Sequence, residues 1–175
     1  MVPETAIPNL RELYRTSAER HGVLPAENAA IGEVESVHGL GYPDPKTKRS
    51  YIGGRRAAFG PMQILPGAHP EFFEKHNGNP SDEAVIDYGT GYYASLKREL
   101  NGDPIAAAMS YNGGKGHYLI WREGGVPDWV KNNEDLLEWN RIVDQMTNYG
   151  KKFAKAYYKH SGDASLLQNP LLLRK

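Results

Sequence analysis

The sequence predicts a mainly α-helical fold, on three observations. Apolar residues recur at three- and four-residue steps in several segments. Those segments open on residues suited to helix starts and close on glycine. One stretch, about residues 39–60, abandons the pattern for prolines, glycines and basic residues. The 175 residues suit one compact domain, or one with a short extra subdomain, and 39% hydrophobic residues are enough for a core.

The first helix is expected from about Asn9 to His21, where Leu10, Leu13, Tyr14, Ser17 and Ala18 share helical spacing and Gly22 provides a stop. A second opens near Pro25, tolerated in a first turn, and carries Ala29, Ile31, Val34 and Val37 before Gly39 and Gly41. Residues 39–60 hold the turn signals Pro43-Asp44-Pro45 and Gly53-Gly54, with Lys46, Lys48, Arg49, Arg55 and Arg56 among them. An extended loop or small β-hairpin at about 40–58 is expected there, as an excursion within the domain. Ser81-Asp82 then caps a helix carrying Val85, Tyr88, Gly89, Tyr92, Leu96 and Leu100. Asp103-Pro104 starts a short Ala-rich helix that ends by Gly113. After a glycine-rich break, a last long helix covers about Asn140 to Lys159. Residues 1–162 are read as one domain, and 163–175 as a loosely attached C-terminal tail or linker.

Composition narrows the function. Lys plus Arg and Asp plus Glu number 21 each, and a net charge of zero argues against a dedicated nucleic-acid binder. The absence of cysteine excludes disulfides, thiolate catalysis and Cys-ligated zinc. The start, Met1-Val2-Pro3-Glu4-Thr5, has neither a basic opening nor an apolar run, so no secretory signal is expected. Apolar stretches such as Leu171-Leu172-Leu173 are too short to span a membrane, so no membrane insertion is expected.

A helical wheel singles out one carboxylate. At about 100° per residue with Ile31 at zero, Val34 falls near 300°, His38 near 340° and Glu35 near 40°. Glu33, near 200°, points toward water. A carboxylate among aliphatic side chains is poorly solvated and its pKa rises, as a general acid for glycosidic cleavage requires. The plainer alternative is a boundary glutamate that reaches solvent or pairs with Arg55 or Arg56.

The neighbouring segments add to this. Glu35-Ser36 ends a helix; Gly60-Pro61-Met62-Gln63-Ile64-Leu65-Pro66 follows, then Ala107-Ala108-Met109-Ser110-Tyr111-Asn112-Gly113-Gly114, with Tyr149 on the final helix. This ordered set, spanning residues 9–158, resembles the soluble lytic transglycosylase domain, which shares its fold with goose-type lysozyme. Arg20-His21-Gly22-Val23-Leu24-Pro25 also looks like that family's approach to its catalytic helix.

The resemblance implies a lysozyme-like domain that cleaves peptidoglycan glycan strands without cofactor or metal. Glu35 would protonate the glycosidic oxygen between N-acetylmuramic acid and N-acetylglucosamine. It would then draw the proton from the muramic 6-hydroxyl as that oxygen closes onto the anomeric carbon, leaving a 1,6-anhydro end. Ser36 matches a serine that orients the glutamate or contacts the sugar, although it could equally cap the helix. Met62 and Gln63 match cleft residues; Met62 also suits core filling, whereas the Gln63 amide can donate and accept to sugar hydroxyls at once. Tyr111 and Asn112 match a pair facing carboxylate and sugar, and Tyr149 a tyrosine lining the cleft.

Departures keep alternatives open. The stretch from Glu35 to Gln63 is longer than the family usually needs, and its basic residues would attract an anionic wall from the lip of a cleft. Pro61 removes a backbone donor beside Gln63. Gln145 stands where the family often has a glutamate. Goose-type lysozymes hydrolyse the same bond with water, and Asp44 could hold such a water or simply form a turn. A non-catalytic wall-binding or structural module and a chitin-directed glycosidase are the other readings. With no export signal expected, action at the bacterial cell wall, in the periplasm, points to a bacteriophage virion, a secretion machine or release at lysis.

Other motifs fall away. Gly113-Gly114-Lys115-Gly116 lacks the spacing of a phosphate-binding loop. The six histidines show no metal-ligand spacing, and His38 is read as a supporting polar or surface residue. Ser36 with His38 lacks a nucleophile elbow. Trp121 and Trp129 are the tryptophans best placed by their neighbours to meet a sugar.

Overall fold

The structure, a computed structural model, describes residues 9–39 and 58–174. Seven α-helices occur among the described residues: α1 (Leu10–His21), α2 (Pro25–Ser36), α3 (Pro70–Lys75), α4 (Asp82–Glu99), α5 (Pro104–Gly113), α6 (Lys115–Arg122) and α7 (Asn133–Ser161). Two 3-10 turns, Ser165–Gln168 and Pro170–Leu172, follow. The mainly helical expectation is therefore met. Among the described residues the strand-like pairing is a lone bridge between Phe59 and Ile64. The loop or hairpin expected at about 40–58, with Asp44, Lys46, Lys48, Arg49, Arg55 and Arg56, lies outside the described residues apart from Ala58. Among the described residues, no helix is long and apolar enough to cross a membrane.

The chain forms two compact units, Met1–Tyr92 and Tyr93–Lys175. In the first, Gly22 ends α1 in the left-handed conformation, at φ 71°, with its N–H on the Ala18 carbonyl. α2 is buried around most of its girth, since Glu27, Asn28, Ala29, Ala30, Ile31, Gly32 and Ser36 are all inside. Its polar residues are satisfied there. The Glu27 carboxylate accepts from the Leu24 N–H at 3.0 Å, capping the helix start, and Asn28 Nδ2 donates to the Tyr14 carbonyl at 3.1 Å. Thr90 in turn donates to Asn28 Oδ1 at 2.8 Å. Leu10, Ile31, Phe59, Ile64, Phe73, Val85 and Ile86 complete that core. α3 was not expected, because six residues make too few turns to show a periodicity and Pro70 reads as a breaker.

In the second unit, Asp103 Oδ1 accepts from the N–H groups of Ile105 and Ala106 at 2.8 and 3.1 Å, the N-cap its sequence foretold. α5 is nearly all apolar and packs along α7. α7 begins seven residues before its expected start near Asn140, because Asn132 accepts from the Asp135 N–H at 2.9 Å while Asp135 accepts from the Lys131 N–H at 2.8 Å. α6 fills what read as a glycine-rich break. Residues 163–174 do not hang free. Asn169 Nδ2 donates to the Asp103 carboxylate at 3.2 Å, Arg174 donates to the Arg122 carbonyl at 2.6 Å, and its guanidinium lies 5.3 Å from the centre of the Trp121 ring.

Candidate active site

Glu35 lies on the last turn of α2 and is half-buried. The helix stops after Ser36 because Val37, His38 and Gly39 take positive φ angles of 50°, 57° and 81° in succession. Val37 N–H still reaches the Glu33 carbonyl at 2.9 Å and His38 N–H the Gly32 carbonyl at 3.1 Å, so the reversal is closed by hydrogen bonds. Ser36 is 4% exposed. Its hydroxyl donates to the Pro61 carbonyl at 2.8 Å and accepts from the Gly39 N–H at 2.8 Å. Ser36 thus both caps the helix end and ties it to the segment carrying Met62 and Gln63.

That segment is a tight turn. Phe59 N–H donates to the Ile64 carbonyl at 2.9 Å and Ile64 N–H returns to Phe59 at 3.0 Å. Gly60, at φ 76°, has room for no other residue, because a Cβ there would stand 2.8 Å from Val85 Cγ1. Gln63 adopts φ 49°, and its side-chain amide donates to the Gly60 carbonyl at 2.9 Å. The amide oxygen of Gln63 sits on a half-buried side chain at the end of this turn. Pro61 gives up a donor, as its ring requires, but its carbonyl is the one Ser36 uses.

Several sequence expectations are narrowed or corrected. Met62 matches a cleft residue and also suits core filling; it is 0% exposed, so core filling is what the structure gives it. Glu33 was expected to face water, but its side chain is only 22% exposed and its carboxylate lies 3.5 Å from His38 Nε2. Of the two readings of His38, supporting polar residue or surface residue, the second fails, because it is 1% exposed, with Nδ1 3.2 Å from the Tyr14 hydroxyl. The wheel failed because it assumes one buried face, whereas α2 is surrounded. The carboxylate most deeply buried on it is Glu27, which caps the helix. A pairing of Glu35 with Arg55 or Arg56 falls outside the described residues.

In the second unit, Tyr111 and Asn112 occupy the last turn of α5, half-buried and exposed respectively, while Tyr149 on α7 is 6% exposed. Two glycines bring these helices close. A Cβ on Gly113 would lie 2.9 Å from Met146 Sδ, and one on Gly150 would lie 2.9 Å from Met109 Cγ. Tyr111-Asn112 and Tyr149 therefore flank a single close approach of α5 to α7. Trp129 is 41% exposed and meets the buried Trp139 edge-on at 6.5 Å, whereas Trp121 is overlaid by Arg174.

These features define a helical domain whose second helix carries a glutamate in its last turn and ends on a serine that is hydrogen-bonded to a glycine-led turn. The chain belongs to the transglycosylase SLT domain family, whose model matches residues 12–125. The matched segment includes Glu35, Ser36, Met62, Gln63, Tyr111 and Asn112, and Tyr149 lies beyond it. Among solved structures, the chain is similar to the lytic transglycosylase Slt of Pseudomonas aeruginosa, determined as an inactive glutamate-to-glutamine mutant, with 21% identity and a TM-score of 0.60. The similarity covers 89% of this chain but 24% of that one, so the chain spans about a quarter of that relative's length. No curated protein sequence matches the chain.

Proposed function

We propose that the chain is a peptidoglycan lytic transglycosylase that uses Glu35 as general acid and then general base. The observation that carries this reading is the fixed end of α2. Within the family-matched segment, Ser36, the residue after the half-buried Glu35, hydrogen-bonds to the Pro61 carbonyl at 2.8 Å and so ties the end of α2 to the segment that carries Met62 and Gln63. Protonated Glu35 delivers its proton to the glycosidic oxygen between N-acetylmuramic acid and N-acetylglucosamine as that bond breaks. The resulting carboxylate takes the proton of the muramic 6-hydroxyl while its oxygen bonds to the anomeric carbon, and the acid is restored. One carboxylate serves both steps, and water is not consumed. The solved relative was made inactive by exchanging one glutamate for glutamine, which fits such an economy of catalytic groups.

Gln63, Tyr111, Asn112 and Tyr149 are the proposed sugar contacts, with Ser36 orienting the acid and Met62 supporting the turn. The proposed domain covers residues 1–162, with 163–175 as its C-terminal segment, acting on the bacterial cell wall. A goose- or phage-type lineage and a virion or secretion-machine setting are part of the same proposal.

The test is a digest of purified peptidoglycan analysed by mass spectrometry. Anhydromuramic ends are expected; reducing ends would instead indicate hydrolysis, and an absence of products a binding module. Glu35→Gln is expected to lower turnover about 100-fold or more with the fold retained, given what a general acid contributes. Full activity in that variant would remove the proposal.

A further inference from the structure

We infer that Tyr14, His38 and Glu33 form a buried positioning network that fixes the direction in which α2 presents Glu35. This rests on the reading of Glu35 as the catalytic group. The network brackets that residue in the chain: Glu33 precedes it by two positions and His38 follows it by three, and their side chains meet with the carboxylate 3.5 Å from Nε2. The third member comes from another helix. Tyr14 on α1 is 3% exposed and places its hydroxyl 3.2 Å from His38 Nδ1. The tautomer that fits this placement has the tyrosine O–H donating to Nδ1 and the proton on Nε2, the nitrogen nearer the Glu33 carboxylate.

Two features show that α2 is shaped around this arrangement. Gly32 lies one turn before Ser36, and a Cβ on it would stand 1.8 Å from the Tyr14 hydroxyl oxygen and 2.6 Å from Cζ. A side chain at that position would expel Tyr14. His38 reaches the tyrosine only because it and Val37 both adopt left-handed backbone, which side chains with a Cβ rarely take. Buried polar groups held by unfavourable backbone gather where a site must be pre-organised. A rotation of the last turn of α2 would move Glu35 and break the bracket together. Glu33, His38 and Tyr14 are therefore positioning residues, not members of the reaction.

The test compares Tyr14→Phe, His38→Ala, His38→Asn and Glu35→Gln in the full chain on peptidoglycan, alongside thermal melts. Tyr14→Phe is expected to lower kcat about 10-fold and His38→Ala about 100-fold, with KM within about twofold, as small misplacements of a reacting group do. His38→Asn, whose Oδ1 can still accept from Tyr14, is expected to recover part of the loss. In the unmodified protein, nitrogen chemical shifts should report a proton on His38 Nε2, and a ring protonated on Nδ1 alone would overturn the network without any variant. Wild-type kcat in Tyr14→Phe and His38→Asn, with only the melting temperature lowered, would reduce the cluster to ordinary packing. If Glu35→Gln is inactive in that case, the function stands and the network alone fails. An active Glu35→Gln overturns both.

Discussion

Three glutamates on one helix show how differently a single residue type is used. Glu27 caps the start of α2 through the Leu24 N–H, Glu33 faces a buried histidine, and Glu35 is left at the end beside a reversal of the backbone. Spacing alone did not sort them, because the side chains around α2 come from segments far away in sequence. What was legible was the local motif, Glu35-Ser36 before a glycine-led turn. The left-handed Val37 was not, since nothing in a β-branched residue announces positive φ. Its side chain is 53% exposed and has little packing to lose. Val37→Gly is expected to raise stability by roughly 0.5–1 kcal/mol, the left-handed penalty relieved less the added chain entropy of glycine. A thermal melt checks this, and a lowered midpoint would show that the valine side chain matters more than its backbone. If the strain helps aim Glu35, turnover should fall in the same variant as stability rises.

Elements were readable where their ends were chemically marked. Asp103-Pro104 and Ser81-Asp82 fixed the starts of α5 and α4, the latter through the Ser81 hydroxyl accepting from the Ala84 N–H at 3.1 Å. α3 and α6 escaped because helices of six and eight residues are too short to display a stripe. α3 carries a consequence for pH. His69, at its N-terminal edge, packs against the rings of Tyr88 and Tyr92 with centroids 5.3 and 4.9 Å away, and its Nδ1 lies 2.9 Å from the Tyr88 hydroxyl. Burial pushes its pKa below the ordinary histidine value. The unfolded chain therefore takes up this proton first as pH falls. The stability contribution is complete above about pH 6.5 and is lost as pH drops through the folded value. Melting temperature should rise with pH across this window, and His69→Gln should flatten the rise; an unchanged slope would reject the assignment.

Over the whole molecule, two units each close a core of their own, and α4 contributes to both, with Val85 and Ile86 in the first and Tyr93, Leu96 and Leu100 in the second. The sequence suggested a loosely attached tail after Gly162, because its leucines show no helical period. The structure instead folds it into 3-10 turns anchored through Asn169, Leu172 and Arg174. Ending the chain at Gly162 should cost about 2 kcal/mol, from two side-chain hydrogen bonds to carboxylate and carbonyl and the apolar cover lost. The melting midpoint should fall by about 4–8 °C, and an unaltered midpoint would show the segment to be dispensable.

The hydrogen bond from Ser36 to Pro61 has one more implication. Ser36, the last residue of α2, holds Gly39 on one side and Pro61 on the other, so two points of the chain more than twenty residues apart in sequence are fastened together. Doubling the number of flexible residues that join two fastened points costs in general only about 0.6 kcal/mol in closure entropy. The number of residues between the two points is thus largely uncoupled from the placement of Ser36 and Pro61, and with them of their neighbours Glu35 and Gln63. Relatives could exchange whole inserts here, altering what the rim of the site meets while the acid stays where it is.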